Sequence, residues 1–390
     1  MRRKILFIPS WYPSDADPVG GVFIKEQAEA LLTRYDVAVL LPQMSSWRDS
    51  LKSKVKEVSK VNSDSPVPIY IESARPLIPH GPERIDYHTF ERAAHAGFKK
   101  LLAEFGKPDV IHAHVVLPAG WSALKLGRRY SIPVVLTEHS GPFSMHLGTQ
   151  VKRDLVKKTL YGVDQVIAIS PALEQQLKNF ERNVDVKIIP DLVRTEFFVP
   201  ATNGDVRKLD TRSPLRFFLV ARLVEEKGVA YLLQAAALLR NAETRPFELI
   251  IGGDGPHRAD LERIAAQLGI AASCNFLGRL DRTGVREWMN RSDVLVLSSL
   301  HETFGIVLGE AMACGKPVIS TRCGGPEFIV TDENGVLVDV ANPESLAQGM
   351  SDFLNGRVSF DPATIRRSVV ERFGVEAFLR NITSVYEAVW

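Results

Sequence analysis

Short apolar runs alternate with amphipathic stretches along this chain, and the alternation occurs twice. The first series has apolar runs at Lys4 to Pro9, Asp36 to Leu41, Val110 to Ala113, Pro133 to Thr137 and Gln165 to Ile169. The second begins at Leu215 to Val220 and continues at Phe247 to Ile251, Asn275 to Leu277, Val294 to Leu297, Pro317 to Ser320 and Val336 to Val338. Such runs read as strands buried on both faces, whereas Glu26-Ala30-Leu31 and the stretch from Tyr87 to Phe105 place apolar residues at helical spacing. Strands that alternate with helices predict parallel sheets covered on both faces, an α/β class.

Between the two series, Pro190 to Pro214 carries three prolines, a charge-rich stretch and no sustained periodicity, the composition of a linker. The expected division is a first domain over residues 1–190, a linker over 191–214, a second domain over 215–370 and a terminal helical segment over 371–390. That last segment has apolar positions at Ala377, Phe378, Leu379, Ile382, Val385, Tyr386 and Val389 before Trp390. A helix so patterned needs a surface to dock on, and the first domain is the expected one.

Composition narrows the picture further. At 390 residues the chain exceeds what one core usually reaches, and 45% hydrophobic with 24% charged residues is a globular composition. The net charge of +2 gives no overall basic excess for nucleic acid, so anion chemistry must come from local clusters. Cys274, Cys314 and Cys323 show no zinc or disulfide pattern and read as core residues. The charged start at Met1-Arg2-Arg3-Lys4 is followed by too short an apolar stretch for an export signal, and no run approaches the ~20 residues of a membrane span. A cytoplasmic location is expected, and the Asn381-Ile382-Thr383 sequon reads as chance.

The densest candidate chemistry lies between Ser298 and Ile319, where an apolar strand leads through Glu302-Thr303-Phe304-Gly305-Ile306-Val307 into a helix. Amides around Phe304, Gly305, Ile306 and Val307 should sit at the positive end of that helix, a ready place for phosphate. Glu302 and Glu310, with seven residues between them, fall in the preceding loop and about one and a half turns along the helix. Taken alone, such a pair is more often a cap and a surface glutamate. Arg222 and Lys227 follow the first strand of the second series, at the sheet edge where α/β proteins bind ligands. A guanidinium and an ammonium together neutralise a diphosphate, though a lone pair of this kind is more often solvated surface.

Together these motifs resemble the large retaining glycosyltransferase family 4, with its E-x7-E signature. Ala221 to Gly228, Gly252-Gly253-Asp254-Gly255-Pro256, Gly20-Gly21-Val22-Phe23 and Asp109 to His114 extend the resemblance over nearly the whole chain. It implies a GT-B fold, with two Rossmann-like domains whose parallel sheets face across a cleft and a C-terminal helix docking back on the first domain. It further implies that Arg222 and Lys227 bind the donor diphosphate, that Glu302 holds sugar hydroxyls, that Glu310 grips the ribose, and that His114 faces the donor sugar. Gly20, Gly21, Gly253 and the Phe304 to Val307 segment join the donor side, and Glu138 with His139 the acceptor side. The implied reaction is metal-independent transfer from a UDP- or GDP-sugar to a hydroxyl of a saccharide or lipid-linked acceptor, in surface polysaccharide or glycolipid synthesis. No cofactor and no protein nucleophile are expected, because the family is described by front-face attack in which the donor phosphate takes the acceptor proton.

Other features have plainer readings. His112 and His114 share a strand face, but no further ligands stand near in sequence, so a metal pair is not expected and His112 reads as structural. Asp15-Ala16-Asp17 reads as turn chemistry. Pro190-Asp191-Leu192-Val193-Arg194 departs from the P-N-G-V-D string that many family members carry at the domain junction. Ser45 to Lys60, with Arg48, Lys52, Lys54, Lys56 and Lys60, is either a solvated helix face or a contact with an anionic membrane surface, peripheral at its inner side. The rival functions are a sugar-nucleotide epimerase on the same fold, a non-catalytic binding module and a pyridoxal-phosphate phosphorylase.

Overall fold

The computed structural model of the protein describes residues 2–14, 17–44, 65–75, 83–201, 213–242 and 245–390. The basic stretch from Ser45 to Lys60, and Asp15 with Ala16, lie outside the described residues. Contacts divide the chain into two units, Met1–Leu192 with Phe378–Trp390, and Val193–Ala377.

The first unit runs β1 (Lys4–Pro9), α1 (Val22–Leu31), β2 (Asp36–Met44), β3 (Ile69–Ala74), α2 (Glu83–Glu104), β4 (Val110–His114), α3 (Trp121–Tyr130), β5 (Val134–Glu138), α4 (Gln150–Leu160), β6 (Gln165–Ala168), α5 (Pro171–Phe180) and β7 (Val186–Ile188). Its strands form one parallel sheet in the order β3-β2-β1-β4-β5-β6-β7. The chain moves outward from β1 and then returns to lay β4 on its other side, pairing Pro9 with His114. The carboxyl ends of β1 and β4 therefore form a topological switch point, where such sheets place ligands.

The second unit runs β8 (Leu215–Val220), α6 (Val229–Ala242), β9 (Phe247–Gly252), α7 (Arg258–Gln267), β10 (Cys274–Gly278), α8 (Arg282–Arg291), β11 (Val294–Leu297), α9 (Ile306–Ala313), β12 (Val318–Thr321), α10 (Pro326–Ile329), β13 (Gly335–Val338), α11 (Pro343–Leu354) and α12 (Pro362–Phe373). Its parallel sheet has the order β10-β9-β8-β11-β12-β13, with the switch point between β8 and β11. Phe217, Leu219, Leu232, Leu249, Ile251, Val296, Ile319 and Met350 are buried together between this sheet and its helices. Residues 193–201, read from sequence as part of the linker, pack on this unit: Val193 donates to the Phe373 carbonyl at 2.8 Å, and Arg366 donates to the carbonyls of Thr195 and Phe198.

The last helix, α13 (Val375–Val389), carries the chain from the second unit into the first. There Phe378, Leu379, Ile382, Val385 and Tyr386 are buried, Tyr35 meets Tyr386 edge-on at 5.8 Å, and Arg3 lies 4.2 Å over the Trp390 ring. Among the described residues no helix is long and apolar enough to cross a membrane.

Two strands escape the reading of apolar runs. β3 and β7 lie at the edges of the first sheet and mix buried with partly or fully exposed residues, including Glu72, Ser73 and Lys187, which is what an edge permits. Five helices start on side-chain caps, with Thr149, Ser170, Asp281, Asn342 and Asp361 accepting backbone N–H bonds. Helices α3, α7 and α10 start without a side-chain cap, and so do the two at the switch points. α1 and α9 begin on Gly21 and Gly305, both left-handed, with no side-chain cap and no acidic residue in the first turn.

Candidate functional site

In the second unit, the loops after β8 and β11 are tied together. The Leu300 N–H donates to the Glu226 carbonyl at 2.8 Å, and Ser298 Oγ donates to the Lys227 carbonyl at 3.0 Å. This brings Lys227 Nζ to 2.6 Å from Glu302 Oε1, which also accepts Ser299 Oγ at 2.8 Å. Arg222 is exposed beside them and forms no ion pair among the described residues. Its backbone is fixed from behind, because a Cβ on Gly253 would stand 1.8 Å from the Ala221 carbonyl oxygen. Gly253 thus lets the β9 loop lie directly on the β8 loop, and the Leu223 N–H donates to the Asp254 carbonyl at 2.9 Å.

Phe304 is buried edge-on against Phe373, with centroids 5.5 Å apart, and anchors the entry to α9. Gly305 follows with φ of 90°, a conformation that glycine adopts without strain. Ile306 and Val307 then open the helix partly exposed, so an uncapped first turn stands at the carboxyl edge of β11. That is an arrangement suited to an anion. One turn further in, the Glu310 carboxylate is buried and accepts a bond from Arg282 at the start of α8. Burial raises the Glu310 pKa, opposed by the Arg282 charge. Arg282 also lies 4.8 Å over the Phe198 ring. The sequence reading did not find Arg282; an arginine directly after a capping aspartate, in the loop following a strand, was the available signal.

In the first unit, Gly20 and Gly21 lead into α1 at the end of β1. Ser14 and Asp17 close a turn by mutual backbone bonds, and Asp17 Oδ1 accepts the Gly20 N–H at 3.1 Å. Asp17 is thereby a turn former. A Cβ on Gly21 would stand 2.6 Å from the Trp11 carbonyl oxygen.

His114 ends β4 in a stack of rings, with His112 at 4.3 Å, His139 at 5.3 Å and Phe7 at 4.5 Å between centroids. Both nitrogens of His112 are engaged, Nδ1 with Tyr386 Oη at 2.7 Å and Nε2 with Thr137 Oγ1 at 2.8 Å. Burial, with His139 beside it, lowers the His112 pKa to about 3. His114 is also held neutral, its pKa lowered well below the usual value by burial and by the two neighbouring histidines. Its Nδ1 lies 3.0 Å from His139 Nε2, while its buried Nε2 has no hydrogen-bond partner among the described residues. A buried polar atom left so costs about 1–3 kcal/mol and calls for an explanation. Val115, next in the chain, holds φ at 78°, a strained value for a β-branched residue.

Glu138 and His139 end β5. The Glu138 carboxylate is fully buried and accepts the N–H groups of Val116 at 2.7 Å, His139 at 3.0 Å and Ser140 at 2.7 Å. Its oxygens are therefore occupied with holding the two loops at the sheet edge. His139 Nδ1 lies 3.2 Å from Asp191 Oδ1, and the same oxygen accepts Gln27 Nε2 at 2.9 Å. Gln27 was not singled out in the sequence, and Asp191 only as a departure from a motif. No group of three or more His, Cys, Asp or Glu side chains among the described residues is placed to hold a metal ion.

Comparison with known proteins follows the division into units. The family described as Glycosyltransferase Family 4 matches residues 20–197, and that described as Glycosyl transferases group 1 matches residues 206–368. TuaC of Bacillus subtilis, named as a candidate teichuronic acid biosynthesis glycosyltransferase, is 27% identical over 361 residues, covering 90% of this chain and 89% of its own. LpsE of Rhizobium meliloti, a lipopolysaccharide core biosynthesis glycosyltransferase, is 31% identical over 50% of this chain and 54% of its own. Among solved structures, the sucrose-phosphate synthase of Thermosynechococcus elongatus superposes with a TM-score of 0.75 at 24% identity, covering 99% of each chain. HepE of Anabaena, solved in complex with UDP, gives 0.76 at 18% identity over 99% of this chain and 100% of its own. These likenesses identify each unit as a Rossmann-like half of the GT-B class. With one family matched across its first unit and the other across its second, and a relative of the same class along nine-tenths of its length, the chain belongs to glycosyltransferase family 4.

Proposed function

We propose that this glycosyltransferase moves a sugar, with retention of anomeric configuration, from a nucleoside diphosphate sugar to a hydroxyl of a saccharide or lipid-linked acceptor in surface polysaccharide synthesis. The observation that carries the donor site is the Lys227–Glu302 pair at the switch point of the second sheet, beside exposed Arg222 and the uncapped start of α9. Breaking the anomeric C–O bond leaves negative charge on the diphosphate. Arg222, Lys227 and the amides from Gly305 to Val307 are the groups that stabilise it, and such preorganised donors need no reorganisation as charge develops. Glu310 accepts ribose hydroxyls and Glu302 sugar hydroxyls. No metal takes part in the transfer step, and the donor phosphate itself takes the acceptor proton.

HepE has been solved with UDP and with UDP-glucose, which supports a uridine nucleotide as donor, and the names of TuaC and LpsE support a polysaccharide product. A thermal-shift screen of UDP- and GDP-sugars, with and without EDTA, tests the reading. One nucleotide series should raise the melting temperature equally in both conditions, and NMR of the product should give the donor's anomeric configuration. Stabilisation that vanishes in EDTA, or an inverted product, overturns it.

A further inference from the structure

The first unit holds a groove of about 880 Å³ between the end of edge strand β3 and helix α2. Gly97 lets the helix close on the strand, since a Cβ there would stand 3.0 Å from Glu72 Cβ, and the small side chains of Ala93 and Ala96 leave the space beside it open. The charged residues that line it are Arg75, Arg92, Lys99, Lys100 and a single acid, Glu72. Lys100 pairs with Glu72 at 2.5 Å. Arg75, Arg92 and Lys99 are exposed, and their side chains form no ion pair or hydrogen bond among the described residues. Three cations thus line one groove without a counter-charge, in a chain whose net charge is only +2. A cleft lined by one sign of charge concentrates ions of the other. Burial, with the charges of Arg129 and Lys99 beside it, lowers the pKa of His95 on the groove wall, so that ring stays neutral.

Arg92 and Lys99 stand two helical turns apart, about 10 Å, so a ligand that meets both carries acidic groups spaced along a chain. Helix α2 runs back against the strands, with Lys100 at the level of Glu72 and Arg92 nearer the carboxyl ends. The groove therefore leads toward the same sheet edge as the β1–β4 switch point, and β3 lies two strands, about 10 Å, from β1. An edge strand presents N–H and C=O groups outward, and Ser73 adds an exposed hydroxyl. None of the lining residues is Phe, Tyr or Trp, so the bases of a nucleic acid find nothing to stack on. Concave walls do not fit a flat membrane. We infer that the groove is a subsite for an acidic saccharide chain, with its carboxylates on Arg75, Arg92 and Lys99 and its hydroxyls on Ser73 and the outer edge of β3. The arginine forks match a carboxylate's two oxygens. The choice of a saccharide rests on the proposed polysaccharide reading; the anion site does not.

The test is fluorescence anisotropy of a labelled oligogalacturonate with the full chain at low salt. Wild type should bind it, and should bind a neutral malto-oligosaccharide of equal length at least about tenfold more weakly. Arg75→Gln, Arg92→Gln and Lys99→Gln combined should weaken the acidic chain about tenfold, the scale of three exposed charge pairs together. All three side chains are exposed, so an unchanged melting temperature is the control for folding. A second triple variant, Arg240→Gln, Arg263→Gln and Arg291→Gln, removes the same charge from the second unit and should change binding by less than about twofold. Absence of binding, equal binding of the neutral chain, or equal loss in both triple variants overturns the inference. Phosphatidylglycerol vesicles or single-stranded DNA that bind wild type as tightly as the oligogalacturonate, and lose binding in the groove variant, overturn the assignment to a saccharide. If the acidic chain binds through the groove while no nucleotide sugar binds the protein, the proposed function fails and the groove stands.

Discussion

Lys227 and Glu302 form an ion pair of 2.6 Å between loops that leave adjacent strands β8 and β11. The lysine is thereby held in place before any donor arrives, but on a carboxylate that a diphosphate must displace or share. Glu302→Gln keeps the shape and removes the charge. Free nucleoside diphosphate should then bind tighter, by about 2- to 5-fold given the modest strength of a partly exposed pair, while sugar transfer falls because a sugar contact is weakened. Calorimetry with UDP or GDP alongside turnover measures both; weaker nucleotide binding in the variant would show that Glu302 does not compete for this site.

Arg222→Ala and Lys227→Ala each remove a cation from the place where leaving-group charge develops. One preorganised donor of this kind is worth about 2.7–4 kcal/mol in the transition state, or ~10²–10³ in turnover. Arg222 is exposed and unpaired among the described residues, so its replacement should alter folding stability by no more than about 0.5 kcal/mol. Steady-state kinetics at saturating acceptor, with thermal denaturation as the control, separates the two effects. Near-normal turnover in both folded variants would put the donor diphosphate elsewhere.

Arg282 keeps the buried Glu310 carboxylate supplied with a counter-charge. In Arg282→Gln burial acts unopposed and raises the Glu310 pKa further, so the carboxylate gains its proton at a higher pH than in wild type. If Glu310 accepts ribose hydroxyls, the Michaelis constant for donor should climb as pH falls, and the climb should begin at higher pH in the variant. Turnover should change less, because ribose contact is made before and during reaction alike. Donor kinetics across pH on both proteins provide the measurement, and identical pH profiles count against the role of the pair.

Much of this was legible in the residues. Runs such as Leu215 to Val220 and Val294 to Leu297 are buried on both faces and so carry an unbroken apolar signal, which is why the two sheets could be read. The placing of Arg222, Lys227, Glu302 and Glu310 near strand ends and a helix start followed from the same alternation. What sequence could not supply was pairing across long separations. Lys227 and Glu302 are 75 residues apart, His139 and Asp191 about 50, and His112 and Tyr386 274. No periodicity relates such residues; only strand order brings them together. Glu138 is the clearest case, since nothing in its neighbours tells that its carboxylate accepts three backbone N–H groups.

Acid should destabilise the protein through His112. Its pKa falls from 6.5 to about 3 on folding, mainly by burial and further by His139 beside it. The folded state thus favours the neutral ring, and the sign follows: the associated stability is complete above pH 6.5 and is lost as pH drops toward 3. Linkage sets the slope at about 1.4 kcal/mol per pH unit for one such group. His112→Gln cannot titrate. It should be less stable than wild type at pH 7.5, having disturbed bonds to Tyr386 and Thr137, yet the gap should narrow by about that slope as pH falls below 6.5. Carboxylates titrate in both proteins and cancel in the difference, so urea midpoints of the pair between pH 7.5 and 4.5 isolate the histidine. A gap that stays constant over this range would mean that His112 titrates alike folded and unfolded, and that its burial in the β4–α13 contact does not set its charge.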